Sequence, residues 1–187
     1  MKIFLDCSDV DLIKHGFESG LVDGVTTNPS LMLKAGKEPM EVLKEISEIF
    51  PFHSSISAEV VGDTVDSMLE EAEQYLQIGP NITIKVPCTR TGLKACLELS
   101  KMDVAVNVTL IFSAAQAILA SKAGATYVSP FIGRLNDQYW DGISLVEEIS
   151  DVFTTHSSKT EILAASIREP IQVAKCFRVG ADICTLP

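Results

Sequence analysis

Short apolar runs rich in Val, Ile and Thr alternate along the chain with longer stretches whose apolar residues recur at helical spacing. The runs fall at Ile3–Asp6, Asp23–Thr27, Ser55–Val60, Ile82–Val86, Ala105–Leu110, Thr126–Pro130, Glu161–Ser166 and Asp182–Leu186, eight predicted strands in all. Between them Asp63–Gln77, Thr89–Lys101, Ser113–Ala123, Ser144–Phe153 and Pro170–Val179 predict helices, several opened by a Ser, Thr or Asp suited to capping. Strand-then-helix order repeated to eight strands predicts an α/β fold, a parallel (β/α)8 TIM barrel, as a single domain over residues 1–187. Two segments share one grammar of helix stop, strand and proline, Ala123-Gly-Ala-Thr-Tyr-Val-Ser-Pro130 and Val179-Gly-Ala-Asp-Ile-Cys-Thr-Leu-Pro187; Leu21-Val-Asp-Gly-Val-Thr-Thr-Asn-Pro29 is a looser third copy. The sequence stops at Pro187, where a barrel of this type expects a helix to cover its last strand, and such barrels rarely fall below about 200 residues. The expectation is a barrel shortened at its C-terminus and lacking that helix, in preference to one whose last strand is covered by a partner subunit.

Alternate side chains of a strand point to opposite faces, so parity separates the barrel interior from the helix-packed exterior. In Ile82-Thr-Ile-Lys-Val86 the apolar residues suit the exterior, which leaves Thr83 and Lys85 inside, with Lys85 at the C-terminal end of its strand. The same count puts Ser57 and Glu59, Asn107 and Thr109, Ser129 and Phe131, Asp6, Thr26, Asn28 and Ser166 inside. The last inward residue of a strand is thus usually polar and reaches the C-terminal mouth, where barrel enzymes place their chemistry.

Charge narrows the partners. A formal net charge of −10 and a pI of about 4.7 give a field that repels nucleic acid and anionic membrane, so an anionic substrate must meet a local basic site. An acid at Asp6 leaves no room for the apolar core of a secretory signal, and no run reaches the roughly 18 apolar residues of a membrane span; a cytoplasmic protein is expected. Five scattered cysteines without a C-x-x-C pair read as reduced thiols, with no metal expected.

An isolated lysine at a strand end commonly snorkels into water. Within a barrel wall, near Arg134 or Arg168, an ammonium is instead desolvated and repelled, which favours a neutral amine able to attack a carbonyl. The protonated imine it forms is an electron sink for cleavage of the neighbouring carbon–carbon bond. Asp6 and Glu59, on the same inferred face, suit proton transfer; their bland alternative is a pair of ionic partners. Asp6 fits the proton of a hydroxyl beside the cleaved bond, while Glu59 with Thr109 could hold the water that makes and breaks the imine. Arg168, just before a predicted proline-started helix, and Arg134, after Phe131-Ile-Gly133, suit phosphate together with Ser166. His15, His53 and His156 fall away from the inferred mouth, and Trp140 is expected to pack.

These residues resemble the small-subunit transaldolase family, which includes the fructose-6-phosphate aldolases. The matching stretches are Ile3-Phe-Leu-Asp6, Leu21-Val-Asp-Gly-Val-Thr-Thr-Asn-Pro-Ser-Leu31, Ile84-Lys-Val-Pro87, Asn107-Val-Thr-Leu-Ile-Phe-Ser113, Tyr127-Val-Ser-Pro-Phe-Ile-Gly-Arg134 and Leu163-Ala-Ala-Ser-Ile-Arg168. The resemblance implies a metal-free, cofactor-free Schiff-base enzyme of the pentose phosphate pathway acting on sugar phosphates. By resemblance Lys85 is the imine lysine, Asp6 the acid/base at the cleaved bond, and Glu59 the carboxylate acting through a water held by Thr109. Thr26, Asn28, Asn107 and Ser129 look like the groups that orient sugar hydroxyls, and Arg134, Ser166 and Arg168 like the phosphate cradle.

Aldolase members of the family carry glutamine and tyrosine where this chain has Glu59 and Phe131, and the present pattern resembles the transaldolases. Transfer of a dihydroxyacetone unit is therefore expected; the alternatives are a fructose-6-phosphate aldolase and a barrel that only binds sugar phosphates. Cys7, Ser8 and Glu169 depart from the family pattern. The resemblance also implies a homo-oligomer, a ring-based decamer built with a C-terminal helix that lies beyond this chain's last residue.

Overall fold

The computed structural model describes residues 1–187. Eight parallel strands close into a barrel in chain order, the fold expected from the alternation: β1 (Lys2–Asp6), β2 (Gly24–Thr26), β3 (Ser55–Glu59), β4 (Ile82–Pro87), β5 (Val106–Ile111), β6 (Tyr127–Pro130), β7 (Glu161–Ala164) and β8 (Ile183–Leu186). Closure comes from β1 pairing with both β2 and β8. The helices are α1 (Val10–Glu18), α2 (Pro29–Ala35), α3 (Pro39–Ile49), α4 (Val65–Leu76), α5 (Arg90–Lys101), α6 (Ala114–Lys122), α7 (Ile132–Asn136), α8 (Gly142–Thr155) and α9 (Pro170–Arg178). The chain ends one residue after β8. No helix is long and apolar enough to cross a membrane.

Local sequence sets where these helices begin. The side chains of Asp9, Asn28, Thr64, Thr89, Ser113 and Asp141 each accept from a backbone N–H of the first turn, satisfying donors that the helix itself leaves orphaned. The cap of α8 is Asp141, so this helix starts earlier than its apolar spacing predicts.

The outer faces of the strands, including Ile56, Ile84, Val86, Val108 and Ile162, join the helices in one large apolar core. Inside the barrel, Phe4, Tyr127, Leu163 and Ile183 form a small separate cluster from β1, β6, β7 and β8. Phe4 stands opposite Gly24 in the register of β1 and β2; a Cβ on Gly24 would lie 2.8 Å from the Phe4 ring, so the ring uses the space a side chain would fill. The other side of the interior is polar, as in the Ser55–Thr83 hydroxyl pair at 2.8 Å. An apolar plug on one side and a hydrogen-bonded polar wall on the other leave the interior open to chemistry only towards its upper, C-terminal end.

Two departures from simple alternation shape that end. Leu110 has φ +60°, and the register of β5 with β6 shifts between Val108 and Ile111. The bulge brings Leu110 to the central cavity and Ile111 to the outer core, the reverse of an uninterrupted count. On β7 the inward residues are Leu163 and Ala165, so alternation alone points Ser166 outward. Ser166 reaches the cavity because its backbone is left-handed, φ +56°. Trp140, expected to pack, is 71% exposed on the connection between α7 and α8.

Candidate active site

Lys85 is the best-defined element of the mouth. It is 6% exposed, and its Nζ donates to the Thr27 carbonyl at 2.8 Å and lies 3.0 Å from Glu59 Oε2. Register explains the pair, because Glu59 and Lys85 are direct partners across β3 and β4, and Lys85 is in turn the partner of Asn107 on β5. The charged neighbour of the amine is thus the Glu59 carboxylate, the ionic pairing given above as that residue's bland alternative, and not Arg134 or Arg168. A buried ammonium with one carboxylate and one carbonyl keeps a third hydrogen for a further partner.

Around this pair the side chains form two directed hydrogen-bond chains. Thr26 donates to Asp6 Oδ1 at 2.9 Å and meets the Thr185 hydroxyl at 2.7 Å. Since Thr26 has a single hydroxyl proton, Thr185 must donate to it, and the chain runs Thr185, Thr26, Asp6. On the other side Ser129 donates to Asn107 Oδ1 at 2.8 Å, and Asn107 Nδ2 donates to Ser57 at 3.1 Å. That chain fixes which way the Asn107 amide faces and leaves the Ser129 oxygen only as an acceptor. Thr109 differs from all of these: its Oγ1 is buried and has no hydrogen-bond partner, although it lies at the level of Pro87, two residues above Lys85. A buried hydroxyl without a partner is rare and suits a site that holds a small polar molecule.

Asn28 both caps and lines. Its Oδ1 accepts from the Leu31 amide at 3.0 Å at the start of α2, which leaves its Nδ2 for the cavity. Phe131 meets Phe112 edge-on at 5.8 Å, and the Arg134 guanidinium lies 5.1 Å above the Phe131 ring. This cation–π contact and the short helix α7 aim Arg134 at the opening.

A cavity of 390 Å³ opens at this mouth and gathers every residue the sequence singled out except one. Asp6, Thr26, Asn28, Glu59, Lys85 and Asn107 line it, as do Thr109, Ser129, Phe131, Arg134 and Ser166. Arg168 does not; its guanidinium is bidentate to the Asp137 carboxylate, with Nη2 2.6 Å from Oδ2, and half-exposed. The backbone amides beside the two arginines are occupied too. Ile132 and Gly133 amides donate to the Ala165 and Ser166 carbonyls, and the Arg168 and Glu169 amides donate to Gln172 Oε1. The phosphate-binding groups that remain are the Arg134 guanidinium and the Ser166 hydroxyl.

Sequence reasoning missed Thr185, the end of the Asp6 chain, and the Thr27 carbonyl. Extending the parity count to the last strand would have marked Thr185. No side-chain pattern marks a main-chain carbonyl.

The profile of the family described as "Transaldolase/Fructose-6-phosphate aldolase" matches residues 3–187. The chain belongs to this family. Among curated relatives, a protein of Paracoccus denitrificans is 51% identical over all 187 residues, which cover 85% of that relative. One of Geobacter metallireducens is 51% identical, with 86% of its length covered, and one of Methanococcus maripaludis 50% identical, again with 86% covered. All three carry the name "Probable transaldolase".

Proposed function

We propose that the protein is a cytoplasmic transaldolase of the pentose phosphate pathway, moving a dihydroxyacetone unit from sedoheptulose 7-phosphate or fructose 6-phosphate to glyceraldehyde 3-phosphate or erythrose 4-phosphate. The observation that carries this reading is a buried amine at the barrel mouth with a carboxylate 3.0 Å away, in one cavity with Asp6.

The chemistry begins with the amine. Lys85 passes a proton to Glu59 and attacks the donor ketone carbon, forming a carbinolamine. Loss of water, protonated by Glu59 through a molecule held by Thr109, gives the iminium. Asp6, oriented by the Thr185–Thr26 chain, takes the proton of the hydroxyl on the carbon to be released. The carbon–carbon bond then breaks, its electron pair flows into the iminium, and the first aldehyde leaves. The enamine that stays on Lys85 attacks the second aldehyde, Asp6 returns the proton to the new hydroxyl, and water regenerates the amine. Arg134 and Ser166 hold the phosphate, while Asn28, Asn107 and Ser129 hold hydroxyls.

Retention of the enamine decides between transfer and cleavage. Phe131 offers a ring without a hydroxyl, so this position supplies no proton to quench the enamine carbon. The relatives' names agree with transfer. Incubation with fructose 6-phosphate and erythrose 4-phosphate tests this: sedoheptulose 7-phosphate should accumulate with glyceraldehyde 3-phosphate. Free dihydroxyacetone as the main product would make the protein an aldolase, and no turnover would leave a binding barrel.

A further inference from the structure

A second, larger cavity of 720 Å³ lies at the opposite, N-terminal end of the strands. It sits between the C-terminal ends of α6 and α8 and the segments that lead into β6 and β7. Its charge is unlike that of the chain. The protein has 25 acidic against 15 basic residues, yet no Asp or Glu lines this cavity, while Lys122, Lys159 and His156 do. None of these three side chains makes an ion pair or a side-chain hydrogen bond; the ion pairs of the protein involve Lys2, Lys37, Lys85, Lys101 and Arg168. Lys122 stands in the last turn of α6, where a cation offsets the helix dipole. Lys159 belongs to no helix, so helix-end compensation does not account for it.

The wall between these cations is already satisfied. Thr160 donates to the Ala125 carbonyl at 2.9 Å and lies 3.0 Å from the Ser121 hydroxyl, which lies 2.9 Å from that of Ser158. The Ser158 oxygen accepts from the Thr160 amide at 3.2 Å. The Thr160 hydroxyl proton is shared between the Ala125 carbonyl and the Ser121 oxygen, and one further proton joins Ser121 to Ser158. These bonds hold the two loops together, and the charged groups that face the opening are the side-chain nitrogens of Lys122, His156 and Lys159, all three exposed. Beside them, Ile118 and Val152 supply an apolar surface, with the buried Phe153 at its base.

We propose that this cavity is a second ligand site, for a small phosphomonoester whose organic part lies on the Phe153 side and whose phosphate meets Lys122, Lys159 and His156. A dianion matches two ammonium groups better than a monocarboxylate does, and the volume suits a ligand of metabolite size. The inference stands apart from the reaction proposed for the mouth.

Phenyl phosphate is the probe, and amide NMR of the full chain the measurement. The resonances of Ala125, Thr126, Ser158 and Thr160 should shift saturably, and benzoate should bind more weakly. Lys122→Gln with Lys159→Gln should weaken the response about ten-fold or more while the resonances of Gly133 and Ser166 at the mouth still move. Lys122→Arg with Lys159→Arg should retain binding, which separates loss of charge from loss of fold. Shifts confined to the mouth, binding unaffected by the double Gln change, or equal affinity for benzoate would each overturn the proposal.

Discussion

Gly133 controls how closely the Ser166 turn approaches α7, and its replacement by alanine tests the phosphate end of the site. A Cβ at this position would lie 2.2 Å from the Ser166 carbonyl oxygen, 2.8 Å from Arg168 Nε and 3.0 Å from Ser166 Oγ. The first contact is with main chain, and that main chain also receives the Gly133 amide at 2.9 Å, so relief requires the turn and α7 to part by about 1 Å. Overpacking of this kind costs about 1–3 kcal/mol. For a chain of this length each kcal/mol lowers Tm by about 2–4 °C, so thermal denaturation should show a fall of about 2–12 °C. The same movement draws the Ser166 hydroxyl away from the Arg134 side. Losing one hydrogen bond to a charged phosphate is worth about 1.5–3 kcal/mol, or about 10–150-fold in KM for fructose 6-phosphate, with kcat changed far less. Fructose without its phosphate should show no comparable loss. Gly20→Ala is the matched control, because Gly20 has φ +72° with nothing near its missing side chain and sits at the other end of the barrel. It should lose about 1–2 kcal/mol of stability and leave KM unchanged. A Gly133→Ala protein with the original Tm and KM would refute this account of the turn.

Three other variants probe the remaining parts of the account. Thr109→Val removes a hydroxyl that has no protein partner, so Tm should hold within a few degrees while kcat falls by about 100-fold or more; a large loss of Tm instead would assign Thr109 to the fold. Glu59→Gln combined with Phe131→Tyr should shift the product ratio from transfer towards free dihydroxyacetone, and an unchanged ratio would remove these positions from the choice between the two outcomes. At Asp141, donation by the Ser144 hydroxyl and by the Ser144 and Ile143 amides holds the carboxyl below its usual value. Its contribution is therefore complete above about pH 4 and lost as pH falls through the lower folded value, so the stability gap between the protein and Asp141→Asn should narrow on acidification. A gap constant with pH in urea titrations would show that the cap is not acting through its charge.

The regular part of this barrel could be read from alternation because its strands are short, strictly parallel and covered by helices. Two-fold periodicity placed Glu59, Lys85 and Asn107 on one face, and the register between β3, β4 and β5 puts them side by side. What alternation could not supply was backbone irregularity. The left-handed residues Leu110 and Ser166 each reverse a count, and neither is a glycine whose presence would have signalled the turn. Helices α1, α2, α3 and α7 are not among the predicted helices either, although Asn28-Pro29 is a cap followed by a first-turn proline; α2 and α3 are two short helices in a stretch where one is usual. Arg168 shows the limit of reading charge from position. It follows Ser166 by two residues, as a phosphate ligand would, but Asp137 on the end of α7 is close enough to take its guanidinium.

The claim on which the rest depends is that Lys85 Nζ forms a covalent imine with the donor sugar. Incubation of the full chain with fructose 6-phosphate and sodium borohydride, followed by digestion and mass spectrometry of the peptides, measures this directly. The account predicts one reduced adduct, on Lys85, absent without sugar and absent from the Lys85→Met protein. An adduct on another lysine, or an unmodified chain while transfer proceeds, would contradict it.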